Sequence, residues 1–169
     1  MSAIAPKLFL GVGNVLKHDD GVGVWAAEIM YNLPLPEEVE VYDAGAGGLE
    51  LVNVLEGREL VVVVDAIQAD AEPGAVFKMG PGDLNPYVRT GLSLHDLHVL
   101  DALEELKLLG SGPQRVVIFG IQAEDVSTGL GLSASVETGL GKVMKLVCEE
   151  LGISSVILEQ APTKSAWQR

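Results

Sequence analysis

The sequence predicts an α/β protein, a mostly parallel five-stranded sheet with helices on both faces, and three observations predict it. Five apolar, β-branched or aromatic runs alternate with stretches of helical period. The runs are nearly continuous, as in Leu60-Val61-Val62-Val63-Val64, which is the pattern of strands buried on both faces. One connection breaks the alternation: Asp65 to Gly74 is too short for a crossover helix and carries the turn signal Glu72-Pro73-Gly74. Alternation implies parallel strands joined by right-handed crossovers, and the exception makes the fourth strand antiparallel to the third, so the sheet is mixed.

In chain order, the first strand is expected over Lys7 to Val12 and a helix over Gly21 to Leu33. The second strand, Val39 to Tyr42, runs into the glycine-rich stretch Asp43-Ala44-Gly45-Ala46-Gly47-Gly48, and a short helix follows from Gly48 to Leu55. Leu60 to Val64 and Ala75 to Met79 are the third and fourth strands, Leu94 to Leu109 a helix, and Arg115 to Phe119 the fifth strand. The last helix carries Val136, Leu140, Val143, Met144, Val147, Cys148 and Leu151 on one face. Residues 1–169 are expected to form one domain with a core of about 7–151 and a loose tail from about 155 to 169. No internal repeat or linker is visible.

At 169 residues the chain is the size of one domain. Such a domain buries about 70% of its unfolded surface without disulfides. Hydrophobic residues make up 48% and charged residues 21%, the balance of a globular protein with a generous core. A net charge of −13 argues against nucleic acid or an anionic membrane as partner, since both are bound through clustered Lys and Arg. No apolar run reaches the ~18 residues of a membrane helix, and Met1 to Pro6 has no basic segment before a long apolar one, so a cytoplasmic protein is expected. The single cysteine, Cys148, forms no internal disulfide, and its place on an apolar helical stripe favours a buried thiol.

Ligands of open α/β sheets collect beyond the carboxyl ends of the parallel strands, and the informative polar residues fall there. Asp19 and Asp20 follow the first strand, Asp43 ends the second, Asp65 ends the third, and Gln122, Glu124 and Asp125 follow the fifth; His95 opens the helix before it. Adjacent carboxylates at a helix start need a counter-charge or water. Asp20, Asp65 and His95 together offer two carboxylates and an imidazole, a donor set that suits Zn, Ni or Fe and leaves positions open for water or a carbonyl oxygen, as hydrolysis requires. Taken singly, each has an ordinary structural reading: Asp20 as a helix cap, Asp65 as a turn residue, His95 as an exposed first-turn residue beside Ser93 and Asp96. His18 and His98 are rival imidazoles, and Asp19 is expected to point away from the proposed ligands and either stabilise its turn or support a ligand from behind. Gly11, Gly13 and Asp43 resemble a dinucleotide fingerprint, but its third glycine falls at Leu16 and the acids at 19 and 20 would face the pyrophosphate. A G-x-S-x-G elbow is absent, and Cys148 is misplaced for a nucleophile.

Gly11-Val12-Gly13-Asn14 followed by Asp19-Asp20-Gly21-Val22-Gly23, then Asp43-Ala44-Gly45, Val64-Asp65-Ala66 and Ser93-Leu94-His95-Asp96-Leu97, resembles the hydrogenase maturation proteases in order and spacing from Leu8 to about Leu151. The resemblance implies a three-layer α/β/α sandwich whose mixed five-stranded sheet has an antiparallel fourth strand. It implies an endopeptidase that trims the C-terminal extension of a nickel-iron hydrogenase large-subunit precursor after nickel insertion. Asp20, Asp65 and His95 are then both metal-binding and catalytic, Asp43 and Gly45 belong to a substrate loop, and the nickel is carried by the substrate, with other divalent metals as substitutes in vitro. The family's substrate loop often reads Asp-Gly-Gly-Thr; Asp43-Ala44-Gly45-Ala46 lacks the hydroxyl. Three other readings stay open: a resident metal in the same ligands, an aspartic-type pair of Asp20 and Asp65, and a non-catalytic nickel-binding chaperone or scaffold. A monomer that meets its substrate transiently is expected.

Overall fold

The structure, a computed structural model, describes residues 4–45, 50–84 and 94–161, and the side chains of the helix that opens at Leu94 from His98 onward. Strands β1 (Lys7–Val12), β2 (Val39–Gly45), β3 (Leu60–Ile67), β4 (Val76–Met79) and β5 (Arg115–Gln122) alternate with helices α1 (Val22–Tyr31), α2 (Leu51–Leu55), α3 (Leu94–Leu109) and α4 (Ala134–Leu151). They form one sheet in the order β2-β1-β3-β5-β4. All neighbours are parallel except β4, which runs antiparallel to β5. The antiparallel direction of the fourth strand is as the short connection predicts, although β5 lies between it and β3.

Alternation along the strands divides the core in two. Phe9, Val62, Val64, Val117, Phe119 and Ile121 face α1 and α4. Leu8, Leu10, Val61, Val63 and Ile118 face α2 and α3. Every residue of β3 is buried, as a central strand covered on both faces must be. Helix α4 presents Val136, Leu140, Val143, Met144, Val147 and Leu151 to the first core, is capped by Ser133, and ends at Gly152 in the left-handed conformation.

Three strands run further than their apolar runs suggest. β2 continues through Asp43 to Gly45, β3 through Asp65 to Ile67, and β5 through Gly120 to Gln122. Polar residues interrupt the hydrophobic signal there, but the ladder continues, pairing Asp65 with Gly120 and Ile67 with Gln122. Asp65 is therefore inside its strand. The tail differs as well: Ser155–Gln160 forms a 3₁₀ helix rather than loose chain, and Ile157, Leu158 and Ala161 pack against the first core. Three apolar side chains in a short segment suffice to dock it, although too few for a helical period to show.

Backbone approach sets the position of α1. A Cβ on Gly23 would lie 2.1 Å from the Val12 carbonyl oxygen and 2.2 Å from that of Val64, and one on Gly11 would lie 2.1 Å from the Gly23 carbonyl oxygen. The first turn of α1 thus rests directly on the carboxyl ends of β1 and β3. Because neither contact is with a flexible side chain, Gly23→Ala is expected to destabilise the fold by about 3 kcal/mol. Urea denaturation of the two proteins measures the difference.

Candidate active site at the carboxyl edge of the sheet

β1 leaves the sheet at Gly13, and the chain folds back through a turn in which the Asn14 carbonyl accepts from the Lys17 amide at 3.1 Å. A 3₁₀ turn, His18–Gly21, then feeds α1. Asp20 sits in that turn, its amide donating to the Lys17 carbonyl at 3.1 Å and its carbonyl accepting from the Asn14 amide at 3.2 Å. The cap of α1 is Gly21, with no side-chain cap bond, so the helix-cap reading of Asp20 does not hold. Asp20 is 8% exposed, and its turn packs on β3.

Asp65, on that strand, is 2% exposed. Its Oδ1 accepts from the Ala66 amide at 2.8 Å, while Oδ2 is buried and has no hydrogen-bond partner among the described residues. A buried carboxylate oxygen left unsatisfied is costly, and a bound cation is one of the few things that removes the cost. The donors Asp20 and Asp65 suit a hard or borderline cation on chemical grounds.

His95 lies on the first turn of α3, but its side chain is outside the described residues. The backbone still locates it. α3 is 16 residues long, or ~24 Å, and a short connection joins its end at Leu109 to the start of β5 at Arg115. The first turn of α3 is therefore at the opposite edge, with the carboxyl ends of the parallel strands. Among the described residues no three His, Cys, Asp or Glu side chains form a metal-holding group.

Asp19 does what its expected turn role suggests, and more. Its fully buried carboxylate accepts from the Glu124 and Asp125 amides at 2.9 Å each, from the Ser133 amide at 2.7 Å and from the Ser133 hydroxyl at 2.9 Å. These bonds clasp the loop after β5 to the turn holding Asp20. Ser135 continues the network, donating to Glu124 at 2.5 Å. His18 closes the other side of the clasp: its amide donates to the Gly129 carbonyl at 2.9 Å, its Nδ1 lies 3.2 Å from the Gly131 carbonyl, and its ring occupies the space a Cβ on Gly129 would need. Hydrogen bonds from Ser127 hold the Asp125 carboxyl below the usual carboxylate range. Ser133 was invisible as a functional partner in the sequence; its only signal is a serine placed just before a helical period.

The remaining candidates divide by position. Asp43 Oδ1 accepts from the Gly45 amide at 2.8 Å, in a bulge where the register to β1 slips, and Gly45 returns its carbonyl to the Gly13 amide at 3.0 Å. The Asp43–Gly45 segment thus borders the turn leading to Asp20. Gln122 is buried and structural: Oε1 accepts from the Ala69 amide at 2.8 Å, and Nε2 donates to Gln68 and Ala123, tying down the β3–β4 connection. His98 is exposed on α3, and nothing among the described residues joins it to the site.

Against known proteins, a family model described as hydrogenase maturation protease matches residues 25–150. The chain is 29% identical to the hydrogenase 2 maturation protease of Escherichia coli (strain K12) over 88% of this chain and 92% of that one. It is 32% identical to the hydrogenase expression/formation protein HupD of Bradyrhizobium diazoefficiens, over 85% and 77% of the two chains. The chain belongs to the hydrogenase maturation protease family. The structure of the Escherichia coli hydrogenase maturating endopeptidase HybD superposes with a TM-score of 0.80 at 28% identity, covering 88% of this chain and 94% of that one. The NiFe hydrogenase maturation protease HybD from Thermococcus kodakarensis does so with a TM-score of 0.70 at 26% identity, covering 85% and 97%.

For a maturation protease the one thiol matters, because cysteine is a common peptidase nucleophile. Cys148 is fully buried on α4, and burial pushes its thiol above the usual range. Iodoacetamide at pH 8 is expected to leave Cys148 unmodified in the folded protein and to alkylate it in denaturant, with mass spectrometry as the readout. The clasp yields a second expectation. Asp19→Ala leaves three amides without their acceptor and should cost about 3 kcal/mol, read as a lowered urea midpoint.

Proposed function

We propose that the chain is an endopeptidase that removes the C-terminal extension of a nickel-iron hydrogenase large-subunit precursor, and that it acts once the precursor holds nickel. In this reading Asp20, Asp65 and His95 meet the substrate's nickel and carry the reaction. One observation above all supports it: the buried Asp65 Oδ2, without a hydrogen-bond partner among the described residues, on the strand against which the turn that carries Asp20 packs. Family membership supports the precursor as substrate.

Recognition and chemistry are then one event. Nickel brought by the precursor offsets charge on the tetrahedral oxyanion and aligns carbonyl and water. The chain's own part is to hold ligands ready. Asp65 is fixed by its strand and by the Ala66 amide, and Asp20 by a turn whose neighbour Asp19 is clasped from the far side. Asp43 and Gly45 form an exposed to half-buried bulge on β2, an edge strand, where an extended peptide can lie against backbone. The encounter is transient, between a monomer and its substrate in the cytoplasm.

The test is incubation with precursor in nickel-loaded and nickel-free forms, following the shortened large subunit by mass. Wild type should cleave only the loaded form and bind free nickel weakly. Asp65→Asn keeps the size of the side chain and removes its charge; Asp20→Asn does the same, and His95→Ala removes the imidazole. Each should lose about 100-fold in kcat/KM, equivalent to ~2.7 kcal/mol, with the fold intact. Equal cleavage of nickel-free precursor, or normal activity in Asp65→Asn, would refute the proposal.

A further inference from the structure

Beside the candidate site lies a groove that the proposed reaction does not use. It has a volume of about 690 Å³ and runs between α1 and α4, floored by Trp25, Ile29, Leu140 and Met144. That is the size of a site for a peptide side chain with its neighbours. Its far wall is the loop after β5, with Leu130 and Leu132, and its near wall is Val15 and His18 from the turn that continues into Asp20. Apart from His18, its titratable lining is acidic, Asp125 and Glu137.

Two further facts mark this face as a contact surface. Leu130 is 68% exposed, Leu16 61% and Val126 40%, so the two loops joined by the Asp19 clasp both carry exposed apolar side chains. Scattered exposed apolar side chains need no explanation, but here three sit on two joined loops, and one of them, Leu130, lines the groove. The walls are also preformed, because the clasp and the His18 contacts fix them relative to the core.

We infer that this groove is a second contact point for the precursor, taking an apolar side chain flanked by Lys or Arg from a segment outside the cleavage point. The inference rests on the proposed function for the identity of the partner. Apolar walls supply the anchor, the carboxylates of Asp125 and Glu137 and the net charge of −13 favour the basic flank, and continuity with the Asp20 turn relates the groove to the reacting centre. A contact remote from the scissile bond lowers KM without altering the chemistry.

Gly141 offers a clean obstruction. It lines the groove within α4, and a Cβ there meets nothing within 4 Å. Gly141→Phe fills the groove while replacing a mid-helix glycine by a better helix former, so the fold is expected to be retained. With nickel-loaded precursor, this variant should raise KM at least 10-fold at unchanged kcat. Asp125→Asn, which keeps acceptors for Ser127, should weaken binding several-fold and reduce its salt dependence.

Binding is measured separately with Asp65→Asn as an inactive trap, with and without Gly141→Phe. Precursor that binds the trap and is released by Gly141→Phe supports the groove even if wild type never cleaves it, which separates this inference from the proposed reaction. A folded Gly141→Phe protein with wild-type KM and affinity would overturn it. So would finding another occupant: precursor affinity that rises equally on removing residues 162–169 and on Gly141→Phe marks the chain's own end, and self-association of wild type abolished by Gly141→Phe marks a second copy.

Discussion

The buried carboxylate of Asp19 is the interaction on which the carboxyl edge depends. Taking an ionised carboxylate out of water costs several kcal/mol, and only a full set of donors offsets it. Here amides of residues 124, 125 and 133 and the Ser133 hydroxyl provide that set. The consequence is geometric as well as energetic. Parallel strands β1 and β5 are separated in the sheet by β3, so no ladder joins the loops that leave them. The Asp19 carboxylate does so, together with the backbone bonds from the His18 amide to the Gly129 carbonyl and from the Asp19 amide to the Asp125 carbonyl, and the turn bearing Asp20, the cap of α4 and the wall of the apolar groove become a single unit.

Much of the fold was legible because burial on both faces leaves a strong mark on sequence. The valines of β3 and the alternating partition of β1 between two cores leave little freedom in the assignment of the central strands. Strand ends were harder to read for a definite reason. Asp65, Gly120 and Gln122 lie within ladders, yet each breaks an apolar run, so periodicity stops before the hydrogen bonding does. The 3₁₀ helix at Ser155–Gln160 hides for the opposite reason, being too short to display a period although its few apolar residues pack.

The site was legible in kind rather than in arrangement. Carboxylates placed after parallel strands fall at one edge of the sheet, and the turn bearing Asp20 packs on β3, which carries Asp65, where the glycines at 11 and 23 let α1 settle onto β1 and β3. What the chain could not announce is partnership between distant polar residues. Asp19 and Ser133 are 114 positions apart, and neither has a neighbour that marks it as half of a contact. The same holds for Gln122 and the amides of the β3–β4 connection.

Asp19 and Asp65 are the same residue type, both buried, at the same edge of one sheet, and their partners alone set them apart. Asp19 has its acceptor capacity used by the protein, so removing it damages the fold. Asp65 has one oxygen bonded to its own strand and another without a partner among the described residues. A core selected only for stability would have satisfied that oxygen or replaced the residue, since an apolar side chain of similar size is often more stable in such a place. Retaining the deficit makes sense where an outside group completes the coordination. Under the proposed function that carboxylate is kept for the cation the substrate brings, within a fold where the buried Asp19 is fully engaged in holding the edge in place.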